Sequence, residues 1–515
     1  MKQKISDKLL QLFFAVFSVA FVCLFWNVLF SNKWFHYNPL YVLLLSVAGA
    51  AFLLIVYLAL RMFKQPLYQK RYAIWGTAII VLFFIQLIFA RTLEVQTGGD
   101  FGEVYRAALT MTREGNLDDF KRYLYLFPNN LGLYVTLMLP FRLFNRFGFT
   151  NFYLIASVIN IIMIDTGIVF TVLYCEKALG KRQAFLALLL CSACSLLYFL
   201  APIFYSDTMS IAFAPILLYL NLCIKQAQKP KAALGLTVLM GFLAAFGFKI
   251  KATVLIVAVA LILEQLLTVK LTKSISFVVC LTVSFAVAGA AFDAVAYSAP
   301  LSRDEAQGKS TPYTHWVMMG MHGDGAYNPQ DYEISFGPEN IITDSTAVKQ
   351  TNLAVIKERL AGYGFAGYLS FLKDKGVRSF GSGNGQAAEF LNLRPRHNTL
   401  LHQFCLPEGK YYGIFDYYCQ GWHVGVFLAA IAAAVLCTID KQLRGKIPAA
   451  PFIATFGLYL FLLLWEANQR YLVNFIFVFI IMSVTGLTCS RQAAIAFLNR
   501  KKSGGESTGT WIKKR

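Results

Sequence analysis

Two carboxylates, Asp100 and Glu103, stand three residues apart in the stretch Gly98-Gly99-Asp100-Phe101-Gly102-Glu103-Val104-Tyr105-Arg106. The stretch follows directly on an apolar run, residues 72–90. A carboxylate held within reach of a hydroxyl or amine serves as a general base. The plain alternative is one more charge at a membrane–water boundary. Other polar residues punctuate the apolar chain in the same manner. Asp207 sits in the turn Tyr205-Ser206-Asp207-Thr208, where it orients a substrate group, binds a cation or caps the helix that follows. Lys249 and Lys251 close another apolar run, where snorkelling at a helix end is the bland reading. Arg470 lies four residues beyond Glu466, a spacing that also fits an i,i+4 ion pair. His322-Gly323-Asp324-Gly325, within residues 316–327, either shapes a pocket or makes a simple turn.

The elements that must position these residues are membrane helices. The chain is 57% hydrophobic and 14% charged, against about 25% charged in a soluble domain. Its apolar residues come in blocks of roughly 17–25, long enough to cross about 30 Å of hydrocarbon. A β-barrel would instead show alternating segments of about ten residues. The expectation is an all-α polytopic protein. Its net charge of +20 collects in short loops and the C-terminal tail, as the positive-inside rule requires, and this removes nucleic acid as a partner. The chain contains no P-loop or dinucleotide fingerprint, which argues against a nucleotide-driven pump. Eight of the ten cysteines fall in or beside apolar segments. Cys405 and Cys419 fall in a polar loop, where an oxidising compartment would allow a disulfide.

Placing the basic clusters on one side orders the chain. Twelve spans are expected, at residues 9–30, 39–60, 72–90, 152–174, 183–203, 208–224, 232–248, 252–269, 274–298, 422–439, 449–465 and 471–489. Residues 129–147 look like a further span. Crossing there would put four later basic clusters on the wrong side, so the segment is read as an interfacial helix. Residues 1–71 then form two additional N-terminal spans and a cytoplasmic loop, with Lys64 among its basic markers. Residues 72–298 form a core with a first outer loop at 91–151. Residues 299–420 form a large outer loop, 421–489 the last spans, and 490–515 a basic cytoplasmic tail without structure. Of the 27 acids, six lie in the first loop and twelve in the second. Residues 107–112 and 352–373 read as surface helices, and 381–385 as a flexible glycine turn. Asp165, near the middle of a span, must be paired or neutral.

The ordered set of motifs resembles the integral-membrane glycosyltransferases of the GT-C class, and within it the protein O-mannosyltransferase and aminoarabinose-transferase group. The carriers of the likeness are Asp100 with Glu103 and Tyr105 after an early outward span, and Tyr125-Leu126-Phe127-Pro128-Asn129-Asn130. Tyr205-Ser206-Asp207, Lys251 after Gly247-Phe248, and Glu466 with Arg470-Tyr471 continue it. The resemblance implies a GT-C-like fold of about twelve helices in the plasma membrane. It implies transfer of a sugar from a polyprenyl-phosphate carrier to a glycan, lipid or protein acceptor on the outer face, with inversion. Asp100 is then the base, with Glu103 its rival. Lys251 and Arg470 are the phosphate ligands, with Lys249 and Arg106 behind them. Tyr105, Asp207, His322 and Tyr471 are further substrate contacts. No cofactor is firmly implied, though a divalent cation would be compatible. The competing reading is a lipid-linked oligosaccharide flippase or a polysaccharide polymerase.

Overall fold

The computed structural model describes residues 2–62, 68–339 and 341–506, and among them it forms helices and turns with no strand beyond an isolated Val95–Pro395 bridge. The main helices are α1 (Lys2–Phe30), α2 (Pro39–Met62), α3 (Arg71–Thr92), α4 (Gly99–Arg113), α5 (Asp118–Leu126), α6 (Leu131–Arg146), α7 (Phe152–Leu179) and α8 (Lys181–Ala193). They continue with α9 (Phe213–Gln226), α10 (Pro230–Ile250), α11 (Val254–Thr268), α12 (Leu271–Ala296), α13 (Ser345–Phe380), α14 (Tyr412–Ile439), α15 (Ala450–Leu464) and α16 (Ile476–Glu506). Among the described residues, nine helical stretches are long and apolar enough to cross a membrane. They are α1, α2, α3, α7, α10, α12 and α14, the Ser206–Gln226 stretch that ends in α9, and the Gln469–Ala496 stretch that opens α16. α11 and α15 are apolar but shorter. Helices prevail because backbone N–H and C=O groups in hydrocarbon must pair within their own segment. Over an apolar 18-residue segment the Gln469–Ala496 stretch is 94% buried and forms the centre, whereas the corresponding segment of α2 is only 17% buried and lies at the periphery.

Contacts fix the two ends of the bundle. Arg71 pairs with Glu176 at 2.5 Å, and Arg444 with Asp7 at 2.9 Å, so the start of α3 meets the end of α7, and the link after α14 meets the start of α1. At the other end the Tyr153 hydroxyl accepts from Val95 N at 3.2 Å and donates to Pro202 O at 3.1 Å. The segment between Val95 and Tyr153 therefore leaves and returns at the same end, and α6 makes no net crossing. α6 carries Pro140, Arg142 and Arg146, and it approaches α10 so closely that a Cβ on Gly132 would lie 1.9 Å from the Lys249 carbonyl oxygen.

Several elements differ from expectation. The span expected at 183–203 is α8 followed by a break at Cys194 and a single turn, Leu196–Phe199. Asn160, on α7, stabilises the unwound chain by donating to the carbonyls of Leu200, Ala201 and Ile203 at 3.0–3.3 Å. Those carbonyls would otherwise be unpaired inside the bundle. Asp165 lies near Gln86 of α3, but Gln86 Nε2 and Oε1 and Asp165 Oδ1 have no hydrogen-bond partner among the described residues. The helix expected at 422 begins at Tyr412, so Asp416 and Cys419 are helical. Cys405 and Cys419 are both free thiols, and Cys419 Sγ lies 3.1 Å from Ser195 Oγ. The 352–373 helix is longer, α13, and breaks at Gly364 (φ 59°). The 381–385 segment is packed, not flexible: Gly383 N donates to Gln420 Oε1 at 2.8 Å, and a Cβ there would sit 2.3 Å from Cys419 O. The expected unstructured tail continues α16 to Glu506; residues 507–515, like Lys64, lie outside the described residues.

Lys375 of α13 is buried and donates to the Gly320 carbonyl. Burial pushes its pKa down from 10.5 to about 7. Below about pH 7 the folded and unfolded chains both carry the ammonium. Between there and 10.5 the unfolded chain binds the extra proton, so stability rises with pH across that window. The melting temperature of the solubilised protein is expected to climb between pH 7 and 9, and Lys375→Met should flatten that slope. An unchanged slope in the variant would show that other groups set it.

Candidate functional site

A cavity of about 500 Å³ lies at the bundle end defined by Val95 and Tyr153. Its walls come from chain segments where helices stop: the start of α4, the 250–253 link between α10 and α11, the end of α15, and the Gln469–Phe475 3-10 turn. Asp100, Glu103, Lys251, Glu466, Arg470 and Tyr471 all line it.

α4 begins at Gly99, with Asp100 in its first turn, rather than at 107, the position expected from the apolar pattern. Gly98 is extended at the N-cap, and Gly99 takes φ 54°, a left-handed value that suits glycine. Phe101, Val104, Ala107, Ala108 and Met111 form the buried face of α4. Asp100 and Glu103 fall on the face left to the cavity. The first turn of a helix favours a negative charge, because its free N–H groups point that way. Two phenols hold the Asp100 carboxylate. Tyr123 OH donates to Oδ1 at 2.8 Å and Tyr205 OH to Oδ2 at 3.3 Å. Asn130 in turn donates to Tyr123 OH at 2.6 Å. Burial, and then the charge of Asp100, raise both phenol pKa values well above 10, so these hydroxyls keep the protons they donate.

Lys251 follows the last residue of α10, and its backbone is extended. Its Nζ lies 2.6 Å from Asp207 Oδ1 and 3.4 Å from Ser206 Oγ, and 4.3 Å above the Tyr471 ring. Burial lowers its pKa, and Asp207 opposes that shift. Asp207 makes no capping bond to its helix. Its place is that of counter-ion to Lys251, a correction to the capping expectation. Arg470 forms no ion pair among the described residues, and Glu466 instead accepts from Tyr471 OH at 3.1 Å. Its guanidinium stands 5.1 Å from the Tyr205 ring and 5.5 Å from the Tyr471 ring, and its buried Nε has no hydrogen-bond partner in the described structure. Arg470 is thus a cation beside the cavity with no carboxylate at ion-pair distance among the described residues, while Asp207 and Glu466 attract it from further off.

Other expected site residues lie elsewhere. Lys249 pairs with Asp293 of α12 at 2.5 Å. Lys249 sits in the last turn of α10 and faces α12, whereas Lys251 stands beyond the helix end on extended backbone and turns to Asp207. Arg106 is consumed by an ion pair with Glu103. Tyr105 packs among the rings of Phe141, Tyr153 and Phe204, away from the cavity. His322 lies 3.3 Å from Asp331, which Arg359 also holds at 2.5 Å, a brace within the large loop. Gly323 and Gly325 have positive φ, so the Gly-Asp-Gly is a turn.

Of residues 316–327, Trp316, Met319 and Tyr327 line the cavity, while Tyr123, His315 and Trp465 are residues that no spacing pointed to. Trp316 and Trp465 stack at 5.2 Å with 13° between their planes, joining the large loop to the end of α15. His315 lines the cavity and donates to or accepts from Ser335 Oγ at 2.8 Å. Burial lowers its pKa to about 4, so it is neutral at physiological pH. Among the described residues, no group of three or more His, Cys, Asp or Glu side chains is arranged to hold a metal ion. Chemically the site offers three carboxylates, with Asp100 held by two phenols, Glu103 paired with Arg106 and Glu466 bonded to Tyr471, together with the cations Lys251 and Arg470 and a broad aromatic wall.

A search of curated proteins finds no match. Among solved structures, the chain is similar to ArnT from Cupriavidus metallidurans, described as bound to undecaprenyl phosphate. The identity is 12%, the TM-score 0.36, and the alignment covers 82% of this chain and 78% of that one. A family described as "Conserved hypothetical integral membrane protein" matches residues 2–491. With all but the C-terminal end of its length matched, the chain belongs to that family of integral membrane proteins.

Proposed function

We propose that this protein transfers a sugar from a polyprenyl-phosphate carrier to a hydroxyl or amine of an acceptor, at the outer face of the plasma membrane. The observation that carries the reading is the joining of Asp100 with Arg470 and Lys251 in one aromatic-walled cavity at one end of the bundle. Asp100 takes the proton from the acceptor as its oxygen or nitrogen attacks the anomeric carbon. The bond from that carbon to the phosphate oxygen breaks, and the electron pair leaves on the polyprenyl phosphate. Arg470 and Lys251 hold the developing negative charge. A single displacement of this kind inverts the anomeric centre. The phenols of Tyr123 and Tyr205 fix the carboxylate so that one conformer faces the acceptor. The aromatic wall of Trp316 and Trp465 offers flat apolar surface to the sugar and the first prenyl units. A flippase would need charge along a path through the bundle, whereas here Lys251 and Arg470 gather at one end.

The test uses membranes that contain the protein and radiolabelled polyprenyl-phosphate sugars. Label is expected to leave the lipid fraction and appear in an acceptor fraction only when the protein is present. No transfer from any of the sugars offered, with folded protein, would overturn the reading. The side is tested separately with Asn116→Cys and an impermeant thiol reagent. Labelling of intact cells is expected, and labelling confined to lysed cells would place the cavity on the inner face.

A further inference from the structure

A second polar cavity, of about 520 Å³, shares a wall with the first. Gln469 lines the second and its neighbour Arg470 the first. Glu389 lines the second, while the adjacent Phe390 ring stands 6.0 Å from the Arg470 guanidinium. The second cavity is assembled chiefly from the turn between α1 and α2, the 384–392 segment and the start of α14, with Arg378, Pro407 and Gln469 completing it. Nothing in the transfer chemistry just described uses it.

Its centre is Asp416. Asp416 Oδ1 accepts from Tyr37 OH at 3.0 Å and from Asn384 Nδ2 at 2.8 Å. Oδ2 has no hydrogen-bond partner among the described residues. Burial, and then the Asp416 charge, raise the Tyr37 pKa, so the phenol remains a donor and keeps the carboxylate turned. The result is a fixed acceptor oxygen on the cavity wall. Trp34, Tyr412 and Tyr417 supply ring surface around it. The cavity's cation, Arg378, is already paired with Asp324 at 3.2 Å. With Asp416 and Glu389 both acidic, a phosphate or carboxylate ligand would be repelled. A ligand rich in hydroxyls fits, since each hydroxyl both donates and accepts and sugar C–H faces pack on aromatic rings.

We propose that this cavity binds neutral sugar residues of the acceptor, with Asp416 Oδ2 accepting from a sugar hydroxyl, so that the acceptor is a glycan and not a protein. This rests on the transferase reading above and names its acceptor class. Atoms that approach Arg470 across the shared wall would enter the first cavity beside the donor phosphate.

The purified full-length protein in nanodiscs is tested on an array of neutral and anionic oligosaccharides, and its transfer kinetics are measured with varied acceptor. Asp416→Ala removes the fixed oxygen. Asn392→Ala changes an exposed rim residue of the same cavity and leaves the Tyr37 and Asn384 bonds intact. Both variants are expected to lose neutral-oligosaccharide binding and to raise the acceptor KM by about tenfold or more, with the donor KM unchanged. Asp100→Asn should bind the array as wild type does. Wild-type binding and acceptor KM in both cavity variants would overturn the proposal, as would binding of anionic oligosaccharides alone. Binding that is lost in both variants, in a protein that transfers no polyprenyl-phosphate sugar, would keep the sugar site and discard the transferase reading.

Discussion

Asp100→Asn is expected to lower the rate of sugar transfer by about 10²- to 10⁴-fold, the range for removal of a positioned general base. The substitution is close to isosteric. The amide oxygen can still accept from Tyr123, which donates to Oδ1 at 2.8 Å. Protein yield and melting temperature should therefore stay near wild type, and donor binding should persist. The loss belongs to kcat, because only the transition state needs the proton to move. Glu103→Gln is the control within the same helical turn. Glu103 is already paired with Arg106, so its removal should cost less than tenfold. Equal losses in the two variants would remove the distinction between them. Full activity in a well-folded Asp100→Asn protein would sink the assignment.

The second large effect is expected at Arg470. Arg470→Met should reduce kcat by about 10²- to 10³-fold, the cost of losing one preorganised donor to developing charge. Arg470 outranks Lys251 here because no carboxylate holds it at ion-pair distance, while Lys251 faces Asp207 at 2.6 Å. Arg470→Lys should recover part of the rate, since an ammonium keeps the charge but not the planar fork of donors. Affinity for polyprenyl phosphate itself, measured by product inhibition, should fall in parallel with the rate. A Met variant that keeps wild-type product inhibition and rate would show that the leaving group is held elsewhere. Removal of Lys251 is harder to read, because it would leave Asp207 buried without its counter-ion.

The position of Asp100 within α4 shows how local and long-range information divide. The apolar positions Phe101, Val104, Ala107, Ala108 and Met111 recur at helical spacing, so the helix itself was legible. Its start was not, because a glycine pair before an acid reads equally well as a loop or as an extended N-cap followed by a first turn. The two lysines at the end of α10 make the same point. Sequence marked both as cations at a helix end. Only the helix's rotation against α12 sent Lys249 to Asp293, while the extended backbone at Lys251 turned that residue to Asp207.

What this sequence determined by itself was the all-helical membrane class, the main apolar spans and the collection of basic residues in short loops and the tail. Those follow from the length and polarity of contiguous segments, which the hydrocarbon layer reads directly. The absence of a net crossing in residues 129–147 also followed from charge counting, with the Val95–Tyr153 contact as its structural counterpart. Tertiary structure alone decided which polar residues meet. Tyr123 reaches Asp100 across 23 residues, Tyr205 across 105, and Trp316 stacks on Trp465. It also broke the 183–203 span at Cys194, where Asn160 from another helix stabilises the unwound carbonyls. Helix rotation and close approach set these pairings, and neither is encoded in the period or hydropathy of any one segment.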